Sequence, residues 1–444
     1  MEFVTDYRVE NYALNTCWED FPEKVRNQIK MCGIDLTIAL ILGCHSQQFK
    51  IGEEIAQTYG LTGDIGIIGS RKTYNLLGAA IAMGHSSNSY DIDDGHRTIC
   101  GHPGTSFIAG VLAAAYHKNL SLKDFLTTLV VCYEITIRWA MAMQEEYNYL
   151  HSTGTYGAFG TALGIGRILG FNKKQLNNAL SIADYHAPMT PVMRAVEYPS
   201  MNKDGVPFGA LIGTMAVIET ICGSTGKTHI LEKTQYKNHL NDLGQKYHIL
   251  DLYFKPYTCC RWAHQPIRAC LQLQRQYHFT PDEISQIIIH TFRAATRLSK
   301  AIPQNTDEAQ YNIAYPIACS LVFGDVGYEQ IKDDSLNHPK VIELMQKMTF
   351  ITERSLENLF PKQRLAFVEI ITKDGKRLHS ITFDAEGEPE DPELNIDWIE
   401  KKFKRLTHSM INQLEQDYII NLFKNTYEVS IKQLISQINN ALKI

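Results

Sequence analysis

The chain has 444 residues, 44% hydrophobic and 20% charged, with a formal net charge of −5. This is enough apolar material for a large core, and the length predicts two or three domains, or one large domain carrying an insertion. No block of one charge sign and no basic excess is present, which excludes a nucleic-acid binder acting through a basic face but leaves room for a cationic pocket that takes a small acid.

The first residues, MEFVTDYRVENYALN, lack the basic and apolar regions of a signal peptide. The longest apolar runs are about ten residues, short of the ~20 that span a bilayer. A cytoplasmic protein with no membrane segment is expected. The ten cysteines are scattered and form no C-x-x-C pair, the pattern of reduced thiols used as small core residues.

The first 230 or so residues predict helices. FPEKVRNQIKMCGIDLTIALILG has Pro22 in its first turn and a glycine at its end. SLKDFLTTLVVCYEITIRWAMAM opens on Ser121 and Asp124 in a capping-box-like arrangement. GTALGIGRILGF, NKKQLNNALSIADYHA and PFGALIGTMAVIETICG follow as helices, with Ala, Gly and Ser recurring every three or four positions so that neighbours can pack closely. Near residue 280 the pattern changes. FTPDEISQIIIHTF predicts a helix start and then a strand, KMTFITE a short strand, and RLAFVEIITKDGKRLHSITF a hairpin about Asp374–Gly375. After EGEPEDPEL the chain returns to helices (DWIEKKFKRLTHSM, SIKQLISQINNALK). The expected fold is mainly α with an α+β insertion.

Four segments concentrate ionisable residues among apolar helices. Residues 85–106 hold His85, Asp91, Asp93, Asp94, His96, Arg97 and His102, close enough to tune one another's proton affinity. A solvated loop that caps the next helix is the alternative there, and a metal site is a second, although no H-x-x-H or H-E-x-x-H spacing occurs. His151 stands before a Gly-rich helix start, where free N–H groups can hold a carboxylate. Arg194 and Lys203 lead into another helix, and a lysine there either holds a carboxylate or sits in a solvated loop. FKPYTCCRWAHQPIRA carries Lys255, Arg261, His264 and Arg268, readable as an anion clamp or as a basic helix start. No G-x-G-x-x-G after a strand, no G-x-x-x-x-G-K-[ST] and no G-x-S-x-G elbow is found.

Taken in order, these segments resemble the MmgE/PrpD family, which includes 2-methylcitrate dehydratase, cis-aconitate decarboxylase and iminodisuccinate epimerase. The resemblance runs from the stretch around Asp35 through AIAMGHSSNSYDIDDGHRTICGHPG, LHSTGTYGAFGTALGIGRILGF, SMNKDGVPFGALIGTMAVIETICGSTG, KPYTCCRWAHQPIRA and AQYNIAYPIACSLVFGDV to EGEPEDPEL. It implies a helical domain built from 1–258 and 396–444, and an α+β lid over 259–395. It further implies a homodimer with neither metal nor organic cofactor, and an active site between the domains. Carried over by position, Asp91, His102, His151, Lys203 and Tyr315 (the lid tyrosine) become the expected catalytic residues. Arg97, Lys255, Arg261 and His264 become the expected substrate-binding residues. This chain has Gly95-His96-Arg97 where the family often has Thr, and the interval from Asp91 to His102 is one residue longer than in the decarboxylase. Both departures imply a differently shaped pocket.

The chemistry that fits these residues is proton transfer at a carbon next to a carboxylate, with a positioned acid and base and cations for the developing enediolate. His102 and His151 are the expected acid–base pair, Asp91 orients a histidine, and Tyr315 donates a proton and closes the site. A lyase, dehydratase or decarboxylase, acting on a small polycarboxylate is expected first. An epimerase of a dicarboxylic imino or amino acid is the close alternative. A non-catalytic metabolite binder on the same fold is a third, but it would need only the cations and not the acid–base groups.

Overall fold

A computed structural model describes residues 3–425 and 428–444. The helices form where the apolar periodicity and caps place them. The Glu23–Gly43 helix follows Pro22. The Leu122–Tyr147 helix starts at Ser121, whose hydroxyl accepts from Asp124 N at 3.1 Å. The Lys173–His186 helix starts at an Asn172–Gln175 capping box. By length and composition Leu122–Tyr147 would cross a bilayer, beyond what the short apolar runs implied, but 94% of its apolar window is buried inside the protein.

The small residues serve close packing, as expected. Val206–Ile221 lies against Thr153–Ile168 and Leu76–Ser87, and Pro103–Lys118 also packs on Thr153–Ile168. The approach leaves no space for side chains: a Cβ on Gly213 would stand 2.3 Å from Ala158 O.

The β signal resolves into a four-stranded mixed sheet, ordered Met348–Thr352, Ile284–Thr291, Ala366–Thr372, Arg377–His379. The first pair is parallel and the others antiparallel. The hairpin turns at Gly375, whose φ of 86° suits glycine. In Ala366–Thr372 fully buried residues alternate with half-buried ones, and the His264–Tyr277 helix packs on this strand. Thr-Pro-Asp-Glu, expected to open a helix, makes one 3₁₀ turn, Pro281–Glu283, before the chain extends.

After the acidic stretch, the Ile396–Thr407 helix packs on Glu23–Gly43, and Ile431–Ala441 packs on Pro103–Lys118. One buried contact ties the two ends of the chain. The Lys402 ammonium donates to Asp35 Oδ1 in the Glu23–Gly43 helix and, at 2.8 Å, to Ile92 O. Both side chains are buried, and burial pushes the Asp35 carboxyl up to about 6 against the pull of Lys402. Removing one member of such a pair strands the other charge. Lys402→Met is therefore expected to lower unfolding free energy by about 3–5 kcal/mol in chemical denaturation. Adding Asp35→Leu should recover much of the loss, and a single variant as stable as wild type would contradict this assignment.

Candidate active site

Residues 88–102 cross the interior as a loop between the Leu76–Ser87 and Pro103–Lys118 helices. Asp91, Asp93 and Asp94 are all buried there, and each is matched to specific donors. Lys255 Nζ donates to Asp91 Oδ1 at 2.7 Å and to Asp91 O at 2.8 Å. The two bonds clamp Asp91 in a left-handed conformation, φ 49°, which aspartate adopts more readily than most residues. Asn88 Nδ2 donates to Asp93 Oδ1 at 3.0 Å. Asp94 accepts from the Tyr133 hydroxyl and, at 3.1 Å, from Gly104 N in the first turn of the following helix. A Cβ on Gly104 would stand 2.5 Å from Asp94 Oδ2, so this approach requires glycine.

His102 is the N-cap of that helix. Its Nδ1 lies 2.8 Å from Asp94 O and 3.2 Å from Asp93 Oδ2. A carbonyl oxygen only accepts, so Nδ1 carries the proton. Nε2 then faces Asp204 Oδ2 at 3.6 Å and Asp91 Oδ1 at 3.7 Å. Burial and Lys255 oppose charge on the imidazole, but Asp93 and Asp91 outweigh them and hold His102 up to about 9. Burial alone would raise Asp93, yet His102 keeps it down to about 2. Burial, with Asp35 and Asp93 nearby, lifts Asp94 to about 7 despite its bond from Tyr133. Burial likewise raises Asp204, partly offset by His102.

A small cavity of about 50 Å³ opens onto His102, Asp91, Asp204, Tyr311, Arg261 and Arg364. Its two guanidiniums differ. Arg261 Nη2 lies 2.6 Å from Glu388 Oε1, and its planar group stacks 4.6 Å from the Tyr253 ring centroid. Arg364 is buried, contacts Arg97 O at 3.4 Å, Cys100 Sγ at 3.6 Å and the Tyr253 hydroxyl, and makes no close ion pair among the described residues, with Glu388 attracting it only from farther off. Its charge is available to an anion in the cavity. Asp91, His102 and Asp204 have ligand atoms within 4.8 Å of one another, a spacing that also suits a cation. Lys255, however, already supplies the counter-charge on Asp91.

Of the expected residues, Asp91, His102 and Arg261 meet at this cavity. Lys255 lies behind Asp91 as its partner. Lys203 is buried to one side and donates to Ser89 O at 2.6 Å and to Gln310 Oε1, 6.0 Å from the Tyr311 ring centroid. With φ 40° it also sits in a conformation costly for a side-chain-bearing residue. Four further expected residues lie outside the cavity lining. Tyr315 points away, its hydroxyl donating to Gln330 O at 2.8 Å, and Tyr311, at the end of the preceding Thr306–Gln310 helix, faces the cavity instead. Arg97 is neutralised by Asp384 at 2.9 Å and Glu388 at 2.8 Å, so it has no free charge for substrate. His264 is fully buried, donates from Nε2 to Cys259 O at 3.0 Å and contacts Arg261 through Nδ1 at 3.3 Å; it positions Arg261. His151 is outside the cavity wall, 4.0 Å from the Tyr149 ring between centroids, with its backbone bridged to Pro191. The neighbouring Thr153 links that segment to the site: its hydroxyl accepts from His102 N at 3.3 Å and lies 3.5 Å from Asp204 Oδ2.

Asp204, Tyr311 and Arg364 escaped the sequence reading. Asp204 adjoins Lys203 in the same NKDG run, Tyr311 shares a segment with Tyr315, and Arg364 opens a stretch whose only visible signal is β alternation.

Residues 8–240 match the MmgE/PrpD N-terminal domain and residues 257–426 the MmgE/PrpD C-terminal domain. The C-terminal match thus takes in the Ile396–Thr407 helix that packs on Glu23–Gly43. The chain is 25% identical over 434 residues to a cis-aconitate decarboxylase-like protein, oryM, of Aspergillus oryzae, covering 88% of each chain. It is 23% identical over 377 residues to cis-aconitate decarboxylase of Aspergillus terreus, covering 76% of each.

The His102–Asp93 pair links pH to stability. A histidine raised from 6.5 to about 9 on folding contributes stability that is complete below 6.5 and lost as pH rises through about 9. Asp93, lowered from 3.8 to about 2, contributes stability present above 3.8 and lost as pH falls through about 2. The difference in melting temperature between wild type and His102→Gln should therefore be greatest between these ordinary values and shrink by pH 9. A difference independent of pH would exclude a charged His102.

Proposed function

The chain belongs to the MmgE/PrpD family, and from that premise we propose that it is a lyase acting without metal or organic cofactor on a small polycarboxylate, of cis-aconitate or 2-methylcitrate type. One observation carries the reading. His102 Nε2 faces a cavity between two aspartates with its tautomer fixed by Asp94 O, opposite the unpaired Arg364.

Arg364, with Arg261 beside it, holds substrate carboxylates and stabilises charge as it moves onto them. The His102 imidazolium serves as the proton donor rather than as a base, because its aspartate neighbours keep it charged near neutrality. In decarboxylation the carbon–carboxylate bond breaks, CO₂ leaves, and the electron pair delocalises onto a remaining carboxylate before His102 gives its proton to carbon. In dehydration the Asp204 carboxylate takes the α-proton and His102 protonates the departing hydroxyl. Tyr311 closes the wall, its hydroxyl kept protonated by burial. Epimerisation needs two groups on opposite faces of one carbon, and Asp204 Oδ2 at 3.6 Å from His102 Nε2 is too close to straddle it. That spacing favours the lyase.

The family resemblance also leads us to propose a homodimer in the cytoplasm. Exposed Tyr185, Met189, Tyr198, Met201 and Phe208 supply apolar surface for such an interface.

The test is proton NMR in D₂O with cis-aconitate, citrate, 2-methylcitrate and iminodisuccinate. Release of CO₂ or water is expected from one of the tricarboxylates, whereas deuterium entering an α-position with no new skeleton would replace the lyase by an epimerase. On the active substrate, His102→Asn should lower kcat/KM by about 10²–10⁴-fold. Arg364→Leu should cost about 10- to 100-fold, mainly in KM. kcat/KM in wild type should fall along an alkaline limb near pH 9. Tyr311→Phe should impair turnover more than Tyr315→Phe, and the reverse order would restore Tyr315 to the site.

A further inference from the structure

A second cluster lies outside the cavity, where the strand Gly95–His96 pairs antiparallel with Leu252–Tyr253 and His96 faces Leu252 in register. The 3₁₀ turn His248–Asp251 leads directly into the second strand. This puts the side chains of His248 and Asp251, one turn apart, beside His96. His248 Nδ1 lies 3.2 Å from Asp251 Oδ2, and the two imidazoles meet edge to face with centroids 6.1 Å apart. One ligand atom from each of the three residues falls within 4.8 Å of the others.

His96 provides an independent sign. It is only 1% exposed, and neither ring nitrogen has a hydrogen-bond partner among the described residues. A buried, unpartnered imidazole is costly unless something ligates it. Asp251, by contrast, has 54% of its side chain exposed, so the cluster is open to solvent on that side. The turn is anchored behind: Ile249 N donates at 2.9 Å to the buried Glu134, which is itself paired with Arg138 at 2.7 Å.

We propose that His96, His248 and Asp251 form a binding site for a divalent transition ion of the zinc class, with water completing the coordination. Two imidazoles and one carboxylate are the donors such ions take. Bonds of about 2.0–2.1 Å to a tetrahedral ion set ligand atoms roughly 3.3 Å apart, close to the separation of His248 and Asp251, and His96 brings a third ligand atom within 4.8 Å of both. The ion's role is structural. It fastens residue 96 to the 248–251 turn, and the same loop runs on through Arg97 and Cys100, which contact Arg364, to His102. The site depends on no assumption about the reaction catalysed.

The test uses the full-length protein after chelator treatment, titrated with Zn²⁺ against a chromophoric competitor and, separately, with Co²⁺. Expected are one ion per chain, a tetrahedral Co²⁺ absorption without a thiolate charge-transfer band, and a rise in melting temperature on Zn²⁺ addition. Asp251→Asn, at the exposed position, should weaken binding at least ~tenfold and remove the thermal shift; His96→Gln should do the same. The proposal is overturned if wild type binds no Zn²⁺, or if Asp251→Asn binds as tightly as wild type. It also fails if Asp204→Asn abolishes binding that Asp251→Asn retains, since the ion would then sit in the catalytic cavity.

Discussion

Four buried carboxylates, Asp35, Asp91, Asp93 and Asp94, stand within one patch of the helical interior, and the structure is organised around matching them. Carboxylates removed from water are tolerated only with cations or several donors close by. The partners come from distant parts of the chain. Lys402 arrives from the C-terminal helix, Lys255 from the segment before the sheet, and Tyr133 from the longest helix. His102 and Asn88, both on Asp93, are drawn from the same loop. Meeting this demand brings both chain ends and the start of the α+β portion to one place.

The same matching sets the chemistry. Asp93 and Asp94 are adjacent in sequence, yet one is held near 2 and the other near 7. The difference lies in whether a cation faces the carboxylate: His102 faces Asp93, while Asp94 receives only neutral donors. In exchange His102 remains charged, with its second nitrogen directed at the cavity. A proton donor for carbon-acid chemistry thus arises as a consequence of burying an acidic loop among helices.

A second acidic group performs the same service for the arginines. Asp384 and Glu388 pair with Arg97 and Arg261, which draws the segment before the last helices onto these two arginines. Arg364 has no close ion pair among the described residues, and that distinguishes a guanidinium that can hold substrate from those that hold the fold. Three arginines near one cavity therefore do two different jobs, according to where the carboxylates are.

Much of this was readable in the residues. Helices with regular small-residue spacing, the cap at Ser121, the Asp374–Gly375 hairpin and the crowding of Asp and His in 85–106 are local patterns, and local backbone physics determines them. The order of those segments also suffices for the family, because it spans nearly the whole chain. Pairing is what local pattern does not carry. That Arg97 is neutralised depends on residues nearly three hundred positions later. That Tyr311 and not Tyr315 faces the cavity depends on the break between two short helices: Tyr311 ends the Thr306–Gln310 helix, while Tyr315 sits in the first turn of Ala314–Phe323 with its hydroxyl on Gln330 O. Whether His102 acts as acid or base depends on Asp93, Asp91 and Lys255 converging on it. The sequence by itself determined the inventory of groups and the elements that carry them. Only the tertiary structure decided which charges cancel, which remain free and which way each proton faces, because electrostatic energy depends on distances that span the whole fold.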